Sequence, residues 1–261
     1  MKKIAILCII FTIGALPLSA VALSPYTLSW LVDGTLGSAG LLTAGGSVLA
    51  EKMNPDNHAY AGQSYNRDDV NAFDRWAMRP YDAAWDKVSK ILEITSFATL
   101  GLLLAIPVKE LLKAGTIDAE AFLFSYGTKQ LAKELVHRAR PYMYFPGFPL
   151  EDVQSGDWNC SFFSGHTTYA FAIAGLVSSM FRAYHPDSKW NIPVTVGCYA
   201  LATTMAVARV MSGTHFLSDV LVAAAVGTAI GIFVPRLHLA KENTTMNGSL
   251  LGNTMMVSLS F

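Results

Sequence analysis

Long apolar runs separated by short polar segments make up most of this chain. The runs cover residues 28–50, 91–108, 117–140, 168–181, 192–210 and 216–234; the first is rich in glycine and the third is amphipathic. A helix of about 20 residues is about 30 Å long, enough to cross the hydrocarbon of a bilayer. Strand-like alternation is absent before the last residues. The pattern therefore predicts an all-α fold, a bundle of about six helices.

Composition favours a bundle that is embedded in a membrane. Of the 261 residues, 52% are hydrophobic and only 15% are charged, whereas a soluble domain has about a quarter of its residues charged. Some runs are shorter than a membrane span or are interrupted by charged residues, so a compact soluble bundle is the alternative interpretation.

The two ends of the chain differ from the helical middle. Lys2 and Lys3 precede an apolar core that ends in small residues at Ala20 and Ala22, as in a secretory signal peptide. A retained first membrane helix is the alternative for this leader. At the other end, apolar and serine residues alternate up to Phe261, which predicts a short C-terminal β segment.

These features divide the chain into four parts. Residues 1–22 are the leader, 23–90 contain a glycine-rich helix and a polar aromatic loop, 91–236 form the helical core, and 237–261 are a tail. The loop aromatics are predicted to cover the bundle and not to form an interfacial helix; they are Tyr60, Tyr65, Phe73, Trp76, Tyr81 and Trp85.

The charge balance argues against nucleic acid as a partner. The chain has 19 basic and 19 acidic residues, so it has no global field that would attract a polyanion. Any anion site must therefore be built from a local cluster of cations.

The first candidate block is the segment KELVHRARPY. Lys133 and Arg140 stand seven residues apart, nearly two helical turns, which predicts that both project from one face at the end of the amphipathic helix. Pro141 ends that helix because the residue before a proline resists the helical conformation. Two such cations can hold several oxygens of one anion; a solvated basic helix end is the alternative.

The second block is Ser164-Gly165-His166, which precedes an apolar run. Ser164 is predicted to cap the helix, and glycine lets an anion approach the unpaired backbone N–H groups of the first turn. His166 could then donate a proton to a departing oxygen. An ordinary capped helix explains the same residues.

The third block, ARVMSGTHFLSD, joins two apolar runs. Arg209 is predicted to end one helix and His215 to begin the next, so both lie at the same end of a hairpin. Asp219, four residues after His215, would hydrogen-bond to one ring nitrogen and leave the other free as a nucleophile. A structural His–Asp pair is the alternative.

In order and spacing, the three blocks resemble the motif of the type 2 phosphatidic acid phosphatase and vanadium haloperoxidase superfamily. Residues 142–163 separate Pro141 from Ser164, and residues 167–208 separate His166 from Arg209. Phe163 stands where the family generally has proline, and Ala208 where it has serine. Neither position supplies a catalytic group, so these departures affect loop geometry and substrate fit more than the reaction.

The resemblance implies a phosphatase with a phosphohistidine intermediate. His215 is the nucleophile, Asp219 orients it, and His166 protonates the leaving alkoxide and then activates water. The phosphate-binding residues would be Lys133, Arg140, Ser164, Gly165 and Arg209. Neither a metal ion nor another cofactor is implied, because the cations stabilise the charge of the transition state.

The substrate stays open at this stage. Membrane helices favour a lipid such as phosphatidic acid, phosphatidylglycerophosphate, undecaprenyl pyrophosphate or lipid A. The alternatives are a soluble periplasmic acid phosphatase, a vanadium haloperoxidase and a non-catalytic lipid-binding protein. The positions of Lys and Arg predict an inner-membrane protein of the bacterial envelope whose site faces the periplasm; the periplasm and the outer membrane are alternatives. The oligomeric state is not predicted.

Overall fold

The computed structural model describes residues 24–53, 58–240, 247–251 and 254–258. Within these ranges the chain forms eight α-helices, of which six are long. They are α1 (Trp30–Met53), α2 (Ala72–Arg75), α3 (Ala83–Ala98), α4 (Leu111–Val136), α5 (Leu150–Gln154), α6 (Gly165–Tyr184), α7 (Asn191–Met211) and α8 (Leu217–Leu237). The predicted all-α bundle of about six helices is therefore confirmed, while the leader at 1–22 lies outside the described residues.

Helix α6 lies at the centre of the bundle and packs closely against α8. A Cβ atom added at Gly227 would lie 2.4 Å from the carbonyl oxygen of Thr168, and one added at Gly231 would lie 2.1 Å from that of Ala172. No real Cβ atom approaches an oxygen so closely, so glycine is required at both positions. Small residues at such a contact are a common feature of helices that pack within membranes.

Helix α1 packs on α4 and leaves apolar side chains on its outer face. Gly40 lies against Leu123, and Gly127 faces the backbone of α1 at Ala44. Trp30 and Leu42 are among the exposed apolar residues of this helix. The glycine-rich run is therefore a packed helix.

Three helical segments of the described chain are long and apolar enough to cross a membrane. They are Ala83–Ala105, which joins α3 to a 3-10 turn, Asn191–Met211 and Leu217–Leu237. Large apolar side chains are exposed on each of them, including Leu104, Val196 and Phe233. Exposed apolar surface of this kind is favourable in lipid and unfavourable in water, so these segments indicate a membrane protein.

The prediction that the amphipathic helix extends to Arg140 is wrong. Helix α4 ends at Val136, because His137 adopts a left-handed conformation with φ 47°. Arg140 is extended, with φ −71° and ψ 152°, as expected for a residue before proline. Lys133 and Arg140 therefore do not share a helical face, although both reach the same cavity.

The aromatic residues of the polar loop fall into two groups. Tyr60 and Tyr65 pack on Trp158 with ring centroids 5.6 and 6.0 Å apart, and Tyr81 contacts Tyr142 at 5.9 Å. In contrast, Phe73, Trp76 and Trp85 are 52%, 69% and 36% exposed. The prediction that the loop aromatics cover the bundle thus holds for the three tyrosines and fails for these three residues.

The tail contains the predicted β segment as a hairpin. Strand β1 (Asn247–Leu251) pairs antiparallel with β2 (Thr254–Ser258), and Gly248 stands opposite Val257. Leu259 and Phe261, which carried part of the predicted alternation, lie outside the described residues.

Candidate active site

A polar cavity of about 260 Å³ opens at one end of the bundle. It lies where α4 and α7 end and where α3, α6 and α8 begin, so five long helices converge on it. Its lining consists of charged and polar side chains and one glycine: Asp86, Lys90, Glu93, Lys129, Lys133, Arg140, Asp152, Asp157, Gly165, His166, Tyr169, Arg209, Thr214 and His215.

Six of the eight residues predicted from the sequence line this cavity. They are Lys133, Arg140, Gly165, His166, Arg209 and His215. The other two, Ser164 and Asp219, are fully buried behind the wall. The three sequence blocks, which are far apart in the chain, therefore meet at one place.

Arg140 is buried and is held by hydrogen bonds on both sides. Its Nη2 donates to Oδ2 of Asp157 at 2.6 Å and its Nε to the Asp157 carbonyl oxygen at 2.8 Å. Its Nη1 donates to the carbonyl oxygen of Thr214 at 3.0 Å. Burial raises the pKa of Asp157, but Arg140 and Lys133 outweigh burial, so this pKa lies below its usual value. Asp157 is therefore an anion that pairs with the cations of the cavity.

The other two predicted cations also face carboxylates. Lys133 Nζ lies 3.9 Å from Oδ1 of Asp157, and Arg209 Nη1 donates to Oδ1 of Asp86 at 2.7 Å and to Oγ of Ser89 at 2.8 Å. The Nε atom of Arg209 is buried and has no hydrogen-bond partner among the described residues. A buried guanidinium N–H without an acceptor is costly, and an anion in the cavity could satisfy it.

His215 is a buried imidazole whose protonation follows from its partners. Its Nδ1 lies 2.7 Å from the carbonyl oxygen of Ser161, and because a carbonyl only accepts, Nδ1 carries the proton. Nε2 lies 3.3 Å from Nη1 of Arg140, which can only donate. Burial, together with Arg140 and Arg209, lowers the pKa of His215 well below 6.5. The ring is neutral, with its lone pair on Nε2 beside the cavity.

Asp219 stands further from His215 than the sequence predicts. His215 precedes α8, whose N-cap is Phe216, so the prediction that His215 begins this helix is wrong. Oδ2 of Asp219 lies 3.7 Å from Nδ1 of His215; it accepts hydrogen bonds from Ser161 Oγ at 2.6 Å and from the Phe216 N–H at 2.9 Å. Because this oxygen caps the helix, Asp219 holds the segments on either side of the imidazole.

Arg138 is a residue of the site that the sequence analysis missed. Its Nη1 donates to Oδ1 of Asp219 at 2.6 Å, its Nη2 donates to Oδ2 of Asp74 at 2.8 Å, and its guanidinium lies 3.9 Å from the ring centroid of Phe216. Its place two residues before Arg140 was the available signal, but unlike Arg140 it does not line the cavity. It joins α2 to the start of α8.

The second block forms the start of α6 as predicted. Ser164 is the N-cap, and its Oγ accepts from the Thr167 N–H at 3.4 Å and from Thr167 Oγ1 at 3.0 Å. Gly165 lies under Lys129, whose Cδ would be 2.9 Å from an added Cβ. His166 Nε2 lies 3.4 Å from Oε2 of Glu93. The helix start thus presents His166 to the cavity, while the Ser164 hydroxyl is used for capping.

Comparison with known proteins identifies a related family. A family model described as the PAP2 superfamily matches residues 116–242, which include all eight residues predicted for the site. Similarity to a solved structure, the first transmembrane PAP2-type phosphatidylglycerolphosphate phosphatase from Bacillus subtilis, has 17% identity over 80% of this chain and 96% of that chain, with a TM-score of 0.39. Comparison with curated proteins gives no match.

Proposed function

Because the chain belongs to the PAP2 superfamily, we propose that it is a phosphatase that hydrolyses a phosphorylated lipid through a phosphohistidine. Family membership supports a phosphatase. The observation that carries the mechanism is the neutral His215, whose Nε2 lone pair lies at the wall of a cavity lined by Lys133, Arg140 and Arg209.

In this proposal the cations exchange their carboxylate partners for phosphate oxygens. Arg140 and Lys133 now pair with Asp157, and Arg209 pairs with Asp86. A phosphate also accepts from the unpaired Nε of Arg209 and from the Gly165 N–H at the start of α6. Donors fixed in this way stabilise the charge on the equatorial oxygens of the transition state.

The reaction then has two steps, each with a role for both histidines. Nε2 of His215 attacks phosphorus in line, and the bond from phosphorus to the leaving alkoxide breaks. Burial and the surrounding cations lower the pKa of His166 to about 2, so His166 takes up the proton of the monoanionic phosphate ester and passes it to that alkoxide. In the second step neutral His166 takes a proton from water, which attacks phosphorus and breaks the P–N bond. Inorganic phosphate leaves and His215 returns to its neutral form.

A lipid is the proposed substrate because the apolar helices lie beside the cavity. Two of the three candidate spans, Ala83–Ala105 and Leu217–Leu237, begin at the cavity, and Asn191–Met211 ends there. The phosphate of a lipid in the bilayer would therefore be near the level of the site. Phosphatidic acid, phosphatidylglycerophosphate, undecaprenyl pyrophosphate and lipid A remain the candidates.

The basic residues near the helix ends remote from the cavity support an orientation with the site on the periplasmic side. Lys109 and Lys113 lie at the start of α4, Arg182 lies near the end of α6 and Arg236 lies near the end of α8, all remote from the cavity. By the positive-inside rule, these positions favour a cytoplasmic side for the basic connections. They fit an inner-membrane protein of the bacterial envelope, with 91–236 as its phosphatase core.

A phosphate-release panel on detergent-purified protein, run beside washed-membrane fractionation, tests this function. The four lipids and a soluble aryl phosphate are compared, and lipid phosphate is expected to be hydrolysed by protein in the membrane fraction. Activity on soluble phosphates alone, with protein outside the membrane, would favour the acid phosphatase alternative.

The same preparation separates hydrolysis from peroxidase chemistry. Vanadate resembles phosphate and would be held by the same donors, so it is expected to inhibit phosphate release without starting halide oxidation. Halide oxidation after vanadate and peroxide are added would instead favour the haloperoxidase alternative. Phosphate release is also expected to survive dialysis against a chelator.

A further inference from the structure

A second cluster of titratable side chains lies away from the cavity. Asp33 of α1, Glu120 of α4 and His238, which follows α8, bring their ligand atoms within 4.8 Å of one another. Glu120 precedes Lys133 by thirteen residues on α4, a distance of about 20 Å along the helix. The cluster therefore belongs to the opposite end of the bundle and is not part of the phosphate-binding cavity.

The imidazole of His238 is oriented as a metal ligand is. Its Nδ1 lies 3.0 Å from the carbonyl oxygen of Val234, so Nδ1 carries a proton and Nε2 points to the two carboxylates. Nε2 lies 2.9 Å from Oδ1 of Asp33 and 3.1 Å from Oε2 of Glu120. A ligating histidine commonly donates its second N–H to a backbone carbonyl in this way.

A proton on Nε2 would leave one of the two carboxylates unsatisfied. Nε2 is in hydrogen-bond geometry with Asp33, whereas Oε2 of Glu120 is buried and makes no hydrogen bond within the described part of the chain. Glu120 is only 6% exposed, so water does not supply the missing hydrogen bond to its carboxylate. An unsatisfied buried carboxylate oxygen is costly, and a cation between the three groups would remove that cost.

The spacing and the ligand types fit a divalent transition metal ion. Bonds of 2.0–2.2 Å at tetrahedral angles place ligand atoms about 3.3 to 3.6 Å apart, a few tenths of an ångström more than the two distances from Nε2. One imidazole and two carboxylates suit Zn²⁺ or Mn²⁺. Asp33 is partly exposed, with 24% of its side-chain surface accessible, so an ion could enter from that side.

We propose that Asp33, Glu120 and His238 bind one divalent transition metal ion that fastens α1 to α4 and to the end of α8. The backbone already joins the segment before α1 to the end of α8, because the Thr27 N–H donates to the carbonyl oxygen of His238 at 2.8 Å. The metal completes that junction, so its role is in stability. Phosphate release continues in the metal-free protein at temperatures at which the protein stays folded.

Metal binding to the full-length protein in detergent tests this proposal. The protein is stripped with a chelator, reloaded with Zn²⁺ or with Mn²⁺ and freed of excess ion, and bound metal is then measured by mass spectrometry. About one ion per chain and a higher melting temperature of the loaded protein are expected. Co²⁺ bound by the three side chains is expected to show the visible absorption that is typical of nitrogen and oxygen ligands.

Conservative variants separate this site from adventitious binding. Glu120→Gln and His238→Gln are expected to lose the ion and the thermal shift. Asp118→Asn, two residues from Glu120 on the same helix and outside the cluster, is expected to keep both. Asp33→Asn provides a second test on the most exposed ligand if either buried variant fails to fold.

Three outcomes would overturn the proposal. One is wild-type protein that retains no ion after loading. Another is equal metal binding by the wild type and by a folded cluster variant. A doubly protonated His238 in metal-loaded protein, seen by ¹⁵N NMR, would likewise show that a proton and not a metal joins the three groups. None of these outcomes depends on phosphatase activity.

Discussion

Arg138 donates a 2.6 Å hydrogen bond to the fully buried carboxylate of Asp219. The same carboxylate holds Ser161 and the start of α8, and the Ser161 carbonyl fixes the imidazole of His215. A cation that does not line the cavity is thus connected to the proposed nucleophile through three hydrogen bonds. Arg138 is in this respect a positioning residue.

Replacing Arg138 is expected to slow the reaction without weakening substrate binding. Arg138→Gln removes the charge that Asp219 faces, and a shift of about 1 Å at a reacting group can cost about a hundredfold in rate. Steady-state kinetics should show a lower kcat with KM little changed. Arg75→Gln, an exposed arginine paired with Asp68, is the control. Unchanged kcat in a folded Arg138→Gln protein would contradict this positioning role.

His215→Ala is expected to abolish turnover while the protein still folds. Loss of a nucleophile leaves only the effects of binding and electrostatics, so kcat should fall by several orders of magnitude, about 10⁶-fold in a well-studied hydrolase. His185→Ala, at the far end of α6, is the matched control and should keep its activity. Activity of His215→Ala within tenfold of the wild type would exclude the covalent mechanism.

His166 is expected to matter in proportion to the basicity of the leaving group. An alkoxide needs a proton in the transition state, whereas a nitrophenolate can leave unassisted. In single-turnover experiments His166→Ala should lose much more rate on an alkyl phosphate than on an aryl phosphate, while His215→Ala should lose both.

Trapping of the intermediate completes the test of His166. Acid-labile phosphoprotein should accumulate in His166→Ala because water is no longer activated. Equal losses on the two substrates, with no trapped phosphoprotein, would mean that His166 is not the proton donor.

The pH dependence of His215 follows from its lowered pKa. Since burial and the nearby arginines disfavour the charged ring, the neutral nucleophile persists as the pH falls through 6.5 and is lost only at lower pH. ¹⁵N NMR of histidine-labelled protein can follow this, with His215→Asn to assign the signal. Nε2 should stay unprotonated where an exposed histidine is already charged. Protonation of His215 near 6.5 would be inconsistent with the buried geometry.

Much of the helical fold could be predicted from the apolar runs. The prediction of about six helices and the N-cap at Ser164 are confirmed, because apolar periodicity and capping are local properties. The predicted end of α4 is four residues too late. The helix stops because His137 is left-handed, and a histidine in the sequence does not indicate that conformation.

The partners of the site residues could not be predicted in the same way. Asp157 and Asp86 reach the cavity from a loop and from α3, and the contact of Arg138 with Asp74 joins positions 64 residues apart. Such pairs are decided by tertiary packing, and a single sequence without homologues gives no spacing rule for them. The motif located three of the cations, both histidines and Asp219, but not Asp157, Asp86 or Arg138, which neutralise or position them.

The carboxylates beside the cations give the cavity its own exchangeable counterions. Five cationic side chains and four carboxylates are among its described lining residues, so an arriving phosphate competes with Asp157 and Asp86 and does not enter a bare positive field. The same competition acts on the departing product, since the carboxylates recapture Arg140 and Arg209 as phosphate leaves. Asp157→Asn should therefore make inorganic phosphate a stronger product inhibitor, measurable as a lower inhibition constant; an unchanged constant would mean that Asp157 does not compete. Carboxylates inside the cavity thus lower its affinity for phosphate and speed the release of the product between turnovers.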